Sequence, residues 1–162
     1  MREKINAYAL SLGMSVNKLL LTALEEYQAS HTKRRMINMN NKYFGELEYN
    51  YGWLTKREIL LFGKKHEITV IIQAYKAEDK IPTIQDEVCK EYAEHEQDYL
   101  ECIEKLMIEF DDNADTRFSP DSLYIERNGK CALLFDDAED LDDGIAVEII
   151  PEKNVTYQNV YL

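Results

Sequence analysis

Three histidines, three cysteines, three prolines and six glycines among 162 residues leave little from which to build the common catalytic and metal-binding motifs. Cys89, Cys102 and Cys131 are odd in number, widely spaced and without a CxxC pair, which argues against a disulfide framework and against a local zinc site. His31, His66 and His95 have no local partners. His95-Glu96-Gln97-Asp98-Tyr99 begins like a zinc-protease helix, but Tyr99 stands where the second imidazole would have to be. With so few glycines there is no GxGxxG, no Walker loop and no GxSxG. No apolar run approaches the ~20 residues that span a bilayer, and the first helical segment is too short and polar for a signal peptide core. The expectation is a cytoplasmic protein with no metal and no cofactor.

What is present is acid. The formal net charge is -12, and it is unevenly placed: residues 1–35 sum to +3, so the remainder carries -15. Such a field repels nucleic acid and anionic membranes and speeds encounter with a basic protein, although solubility alone would also account for it. Hydrophobic residues at 45% and charged residues at 31% suit a globular chain with one good core.

Periodicity divides the chain. Ile5, Tyr8 or Ala9, and Leu12 recur at helical spacing, Gly13 ends that run, and Ser15 caps a second helix whose stripe is Leu19, Leu20, Ala23, Leu24 and Tyr27. Two such helices leave apolar faces uncovered and need a partner, either a second copy or the following domain. Residues 29–42 are polar, basic and aperiodic, and read as a linker. From Tyr43 the period becomes alternating. Tyr43 to Asn50 reads as a half-exposed strand ended at Gly52-Trp53, and Glu58 to Phe62 with Glu67 to Tyr75 reads as a hairpin around Gly63-Lys64-Lys65.

Pro82 and Thr83 open a long helix, with Thr83 as cap and Asp86 as its capping-box carboxylate. Its stripe runs Ile84, Val88, Tyr92, Tyr99 or Leu100, Ile103, Leu106 or Met107, and Phe110; His95 to Asp98 weakens it midway, where a bend or a break into two helices stays open. Asn128-Gly129 predicts a type I′ hairpin between Ser122 to Arg127 and Lys130 to Phe135. An acidic loop, Asp136 to Gly144, leads to Ile145 to Ile150, an apolar run suited to a covered strand.

The acidic loop invites a calcium reading, and its register refuses it. With Gly144 at the sixth loop position, Leu141 falls third and Ile150 twelfth, where oxygen ligands are required. Cys89 and Cys102 fall on different helical faces and read as core filling rather than nucleophiles. Paired carboxylates are too common in so acidic a chain to indicate an enzyme, so a catalytic site assembled by the fold from Asp136, Asp137, Asp142 and Asp143 ranks last.

Residues 2–28 resemble the helical half of the ribbon-helix-helix family of Arc-like and CopG-like repressors and antitoxins. The resemblance is carried by Arg-Glu-Lys-Ile on the first helix, the Leu-Gly-Met-Ser-Val-Asn turn, the cap at Ser15 and the run Lys-Leu-Leu-Leu-Thr-Ala-Leu-Glu-Glu-Tyr. It implies a dimerisation element in Ile5, Leu12, Leu19, Leu20, Ala23, Leu24 and Tyr27, with candidate phosphate contacts at Ser15, Asn17 and Lys18. The family reads DNA with a strand ahead of the first helix, and here only Met1 stands there, so sequence-specific readout is not expected without upstream residues. Tyr43 to Leu162 resembles a group of small acidic bacterial domains of unknown function, through Tyr-Phe-Gly-Glu-Leu-Glu-Tyr-Asn at 43–50, Leu-Phe-Gly-Lys at 61–64, Ala-Leu-Leu-Phe-Asp-Asp at 132–137, Asp-Gly-Ile-Ala-Val at 143–147 and the closing Val-Tyr-Leu. By analogy, such domains include immunity-like proteins that cover a toxin.

The expected architecture is therefore α+β: a helical hairpin over 1–28, a basic linker over 29–42, and over 43–162 an antiparallel sheet packed against a long acidic helix. The expected function is non-enzymatic binding of a basic, toxin-like protein, antitoxin or immunity in manner, as a homodimer through the helix pair. Its acidic partner surface would be Asp136, Asp137, Asp140, Asp142 and Asp143. The rival is a DNA-binding transcriptional regulator with an acidic sensor domain.

Overall fold

The computed structural model describes residues 37–140 and 143–162. The chain divides into two units, Met1–Met36 and Ile37–Leu162, and all described residues belong to the second. The expected helix pair, with its packing residues Ile5, Leu12, Leu19, Leu20, Ala23, Leu24 and Tyr27 and its phosphate candidates Ser15, Asn17 and Lys18, lies outside the described residues.

Eight strands form one sheet in chain order: β1 Asn38–Asn41, β2 Gly45–Tyr49, β3 Trp53–Leu61, β4 Lys64–Ile72, β5 Phe118–Ile125, β6 Cys131–Asp137, β7 Gly144–Ile150 and β8 Asn154–Tyr157. All neighbours are antiparallel except β4 and β5, which run parallel. The sheet is thus two four-stranded meanders joined side by side. A parallel join needs a long crossover, and α1 Thr83–Glu94, α2 Glu96–Phe110 and the short α3 Ala114–Arg117 supply it. A last short helix, α4 Gln158–Tyr161, follows β8.

This corrects the expected architecture of a helical hairpin followed by a sheet on one long helix. The sheet dominates the described unit, and the helical layer is broken at His95, whose φ of -123° and ψ of 22° leave helical geometry. The polar stretch there has no apolar residue to bury, so the stripe restarts rather than continues. Gln85, Val88, Cys89 and Tyr92 are buried from α1, and Leu100, Ile103 and Met107 from α2, whereas Ile84 and Phe110 at the two ends are largely exposed. Thr83 is not a cap. Pro82 precedes the helix, and Asp86 pairs with Lys42 Nζ at 3.0 Å instead of closing a capping box. The expected linker also ends early, since Asn38–Asn41 is β1.

Turn chemistry departs from expectation in an instructive way. The two positive φ angles of a type I′ turn occur at Phe62 (49°) and Gly63 (68°), between Leu61 and Lys64. The Phe62 N–H donates to the Glu104 carboxylate of α2, which helps hold a bulky residue in this strained conformation. At the expected site only Gly129 is left-handed (φ 92°); Gly129 N–H donates to Glu126 O at 3.1 Å, and a longer loop joins Ile125 to Cys131. The hairpin is there, with a different turn.

The core lies between the sheet and the helices, around Ile68, Val70, Leu123, Leu133, Phe135, Ile145 and Val147. β6 and β7 are buried on both faces, as the apolar run of β7 predicts. Their second face carries a smaller cluster, Ala132, Leu134 and Ala146, against which Tyr124 and α4's Tyr161 pack. Fully buried Gln85 ties the crossover to the parallel join, its amide donating to Gln73 O and Ile125 O at 3.0 Å each. Cys89 and Cys131 are buried free thiols, and burial pushes Cys89 up to about 12; Cys102 is only half-buried. Among the described residues, no helix is long and apolar enough to cross a membrane.

Candidate functional site

The acidic run is split between strand and loop. Asp136 and Asp137 end β6, alternate strand residues point to opposite faces, and the two carboxylates therefore have different fates. Asp137 pairs across the sheet with Phe118, which brings Arg117 alongside. The guanidinium donates to both Asp137 oxygens, from Nε at 2.9 Å and from Nη2 at 2.6 Å, and its Nη1 donates to Asp111 at 2.8 Å and lies 3.4 Å from Glu139. Asp137 also accepts the Glu139 N–H at 2.9 Å. With only 4% of its side chain exposed, it is spent within the fold. Arg117 and these amides hold its carboxyl below the ordinary aspartate range, and Asp111 is lowered by the Asn113 N–H and by Arg117.

Asp136, on the other face, is exposed. Together with Asp137, Asp140, Asp143, Gly144, Gln158, Asn159 and Leu162 it lines an open hollow of about 520 Å³ at this end of the sheet. Asp143 is held at its rim, since Oδ1 accepts from the N–H of Gly144 at 2.8 Å and from that of Asn159 at 3.3 Å. Gln158 pins α4 across the strand ends by donating to Phe135 O at 2.8 Å. That close approach requires Gly144: a Cβ there would meet Phe135 O at 2.1 Å and the Gln158 amide at 2.6 Å.

The fold therefore gathers Asp136, Asp137, Asp140 and Asp143 at one place, while Asp142 lies outside the described residues. The lining offers carboxylates, amides and one apolar residue, with no histidine, cysteine, serine or lysine among them. Among the described residues, no group of three His, Cys, Asp or Glu side chains converges as a metal site.

Sequence reasoning missed Arg117, Gln158 and Asn159. Arg117 precedes Asp137 by twenty residues, so only the β5–β6 register reveals the pair. An apolar neighbour was also missed. Tyr157 pairs with Ile145, next to Gly144, and its ring meets Phe110 of α2 edge-on at 6.2 Å. Phe110 in turn contacts Phe118 at 6.1 Å. Tyr157 is 53% exposed and Phe110 41%, so an apolar step stands beside the acidic hollow.

Comparison with family models, with curated proteins and with solved structures gives no match.

Proposed function

We propose that this chain is a non-enzymatic binding protein of antitoxin or immunity type, whose acidic sheet end engages a basic protein partner. The observation that carries the reading is the hollow and its charge balance. Asp136, Asp140 and Asp143 line it with Asp137, while the cation next to them, Arg117, is already taken up by Asp111, Asp137 and Glu139. A lysine or arginine presented by a partner would find several carboxylates gathered there. The -15 carried by residues 36–162 would steer such a partner inward from a distance.

A catalytic reading of the same carboxylates is weaker. Asp137, clamped by Arg117, is a poor proton donor, and the wall groups that could share acid and base roles with it, Asp136, Asp140 and Asp143, surround an open hollow that does not exclude water. An open, acid-rich hollow beside exposed aromatics matches a protein interface better than a water-excluding active site.

The test is affinity capture with the full chain from its native host at low salt, followed by binding of the recovered protein in purified form. The expected partner has a basic surface, is toxic when expressed alone and loses that toxicity when co-expressed with this chain, and binds the Asp136→Asn, Asp140→Asn, Asp143→Asn triple variant at least about tenfold more weakly. A partner that binds wild type and triple variant alike would contradict the reading.

A further inference from the structure

Resting on the reading of a basic protein partner, we propose that β8 is the docking edge: an extended cationic segment of the partner adds to it as a further strand, seats apolar side chains on Tyr157 and Phe110, and places a lysine or arginine in the acidic hollow.

Among the described residues, β8 closes the sheet on one side. It pairs with β7 from Ile145↔Tyr157 to Glu148↔Asn154, and no strand pairs with its other side. Natural sheet edges are usually guarded by lysine, proline, a bulge or an inward-pointing charge. At four residues β8 is short, itself one such guard, but Asn-Val-Thr-Tyr carries no lysine, proline or charge and is rich in residues that favour strand pairing. Strand addition supplies affinity through main-chain hydrogen bonds and specificity through alternate side chains. Here the alternation is already set. Val155 and Tyr157 lie opposite Val147 and Ile145, on the helix-covered face, so an added strand would send every second side chain toward the exposed step of Tyr157 and Phe110.

Charge decides the occupant. Glu109 and Asp112 lie close to Phe110 in the chain, and Asp143 and the hollow adjoin the Tyr157 end of β8. Lys153, at the far end of the strand, is preceded by Glu152. A second copy would bring the same carboxylates against these and be repelled. A segment alternating lysine or arginine with apolar residues satisfies both the step and the acid around it.

The experiment titrates the full chain, observed by NMR, with a short peptide of alternating lysine and valine. Companion peptides have glutamate for lysine, or N-methyl groups on alternate residues in either of the two phases. The expected result is shifts centred on residues 154–157 and 143–145 with the lysine peptide, none with the glutamate peptide, and about tenfold weaker binding for at least one N-methyl phase, since a methylated amide cannot pair. Tyr157→Ala should weaken binding, whereas Leu60→Ala, exposed on β3, should not. If both N-methylated peptides bind like the parent, strand addition is overturned while a basic partner stands. If no cationic peptide shifts residues 154–157, the docking edge is overturned, and the capture experiment still judges the partner separately. If the chain alone self-associates through β8, a second copy is the occupant and the proposal fails.

Discussion

Gly129 shows how a single missing side chain serves two parts of this molecule. Its φ of 92° closes the β5–β6 loop, and a Cβ at that position would lie 2.8 Å from Ile84 Cγ1 of α1. Alanine therefore meets a left-handed backbone penalty and a steric one together, although half-exposed Ile84 can yield in part. Gly129→Ala is expected to lower unfolding free energy by about 1–2 kcal/mol, measured by urea denaturation at unchanged m-value. The Asn-Gly dipeptide was legible in the sequence as a turn. The turn type was not, because it depends on the loop length that β5 and β6 choose when their apolar residues align, Leu123 opposite Leu133. The acidic run was likewise legible as acid. Which of its members faces out was not, because Asp137 is claimed by an arginine twenty residues earlier and Asp136, one step away, is turned to the other face.

At the scale of elements, the junction of helix and sheet rests on few polar contacts. Arg57 of β3 reaches the first residue of α2, its Nε and Nη2 donating to both oxygens of Glu96, the latter at 2.8 Å. Both side chains are less than a third exposed, and Glu96 also sits where a helix dipole favours negative charge. Glu96→Gln is expected to cost about 1 kcal/mol of stability, whereas Glu94→Gln, which touches only the exposed Lys90 pair at 3.9 Å, should cost almost nothing. Thermal unfolding of both variants checks the contrast. Some strands were readable, β2 from alternation and parts of β3, β4 and β7 from their Ile, Val and Leu content, and the helices from their stripes. In contrast, β1 reads as linker, β3 already begins at Trp53 where a break reads, and β8 has no clear signal. The parallel β4–β5 join was not readable, since nothing local to either strand encodes a partner lying beyond two intervening helices. The break at His95 could be read only as an open alternative, because a polar patch in a stripe fits a bend as well as a new start.

For the whole molecule, charge and shape converge on one end of the sheet. The acidic field is spread over the described unit, but the exposed aromatic step of Tyr157 and Phe110 and the hollow of Asp136, Asp140 and Asp143 meet there. Hot spots of protein interfaces combine a few apolar anchors with charges that find opposite charges on the partner, and this end offers both. The central claim is tested most directly by the association rate constant of the full chain with its captured partner, measured across ionic strength. Wild type should slow steeply as salt rises, and the Asp136→Asn, Asp140→Asn, Asp143→Asn variant should lose much of that slope. A rate indifferent to salt, or a variant that behaves as wild type, would contradict it.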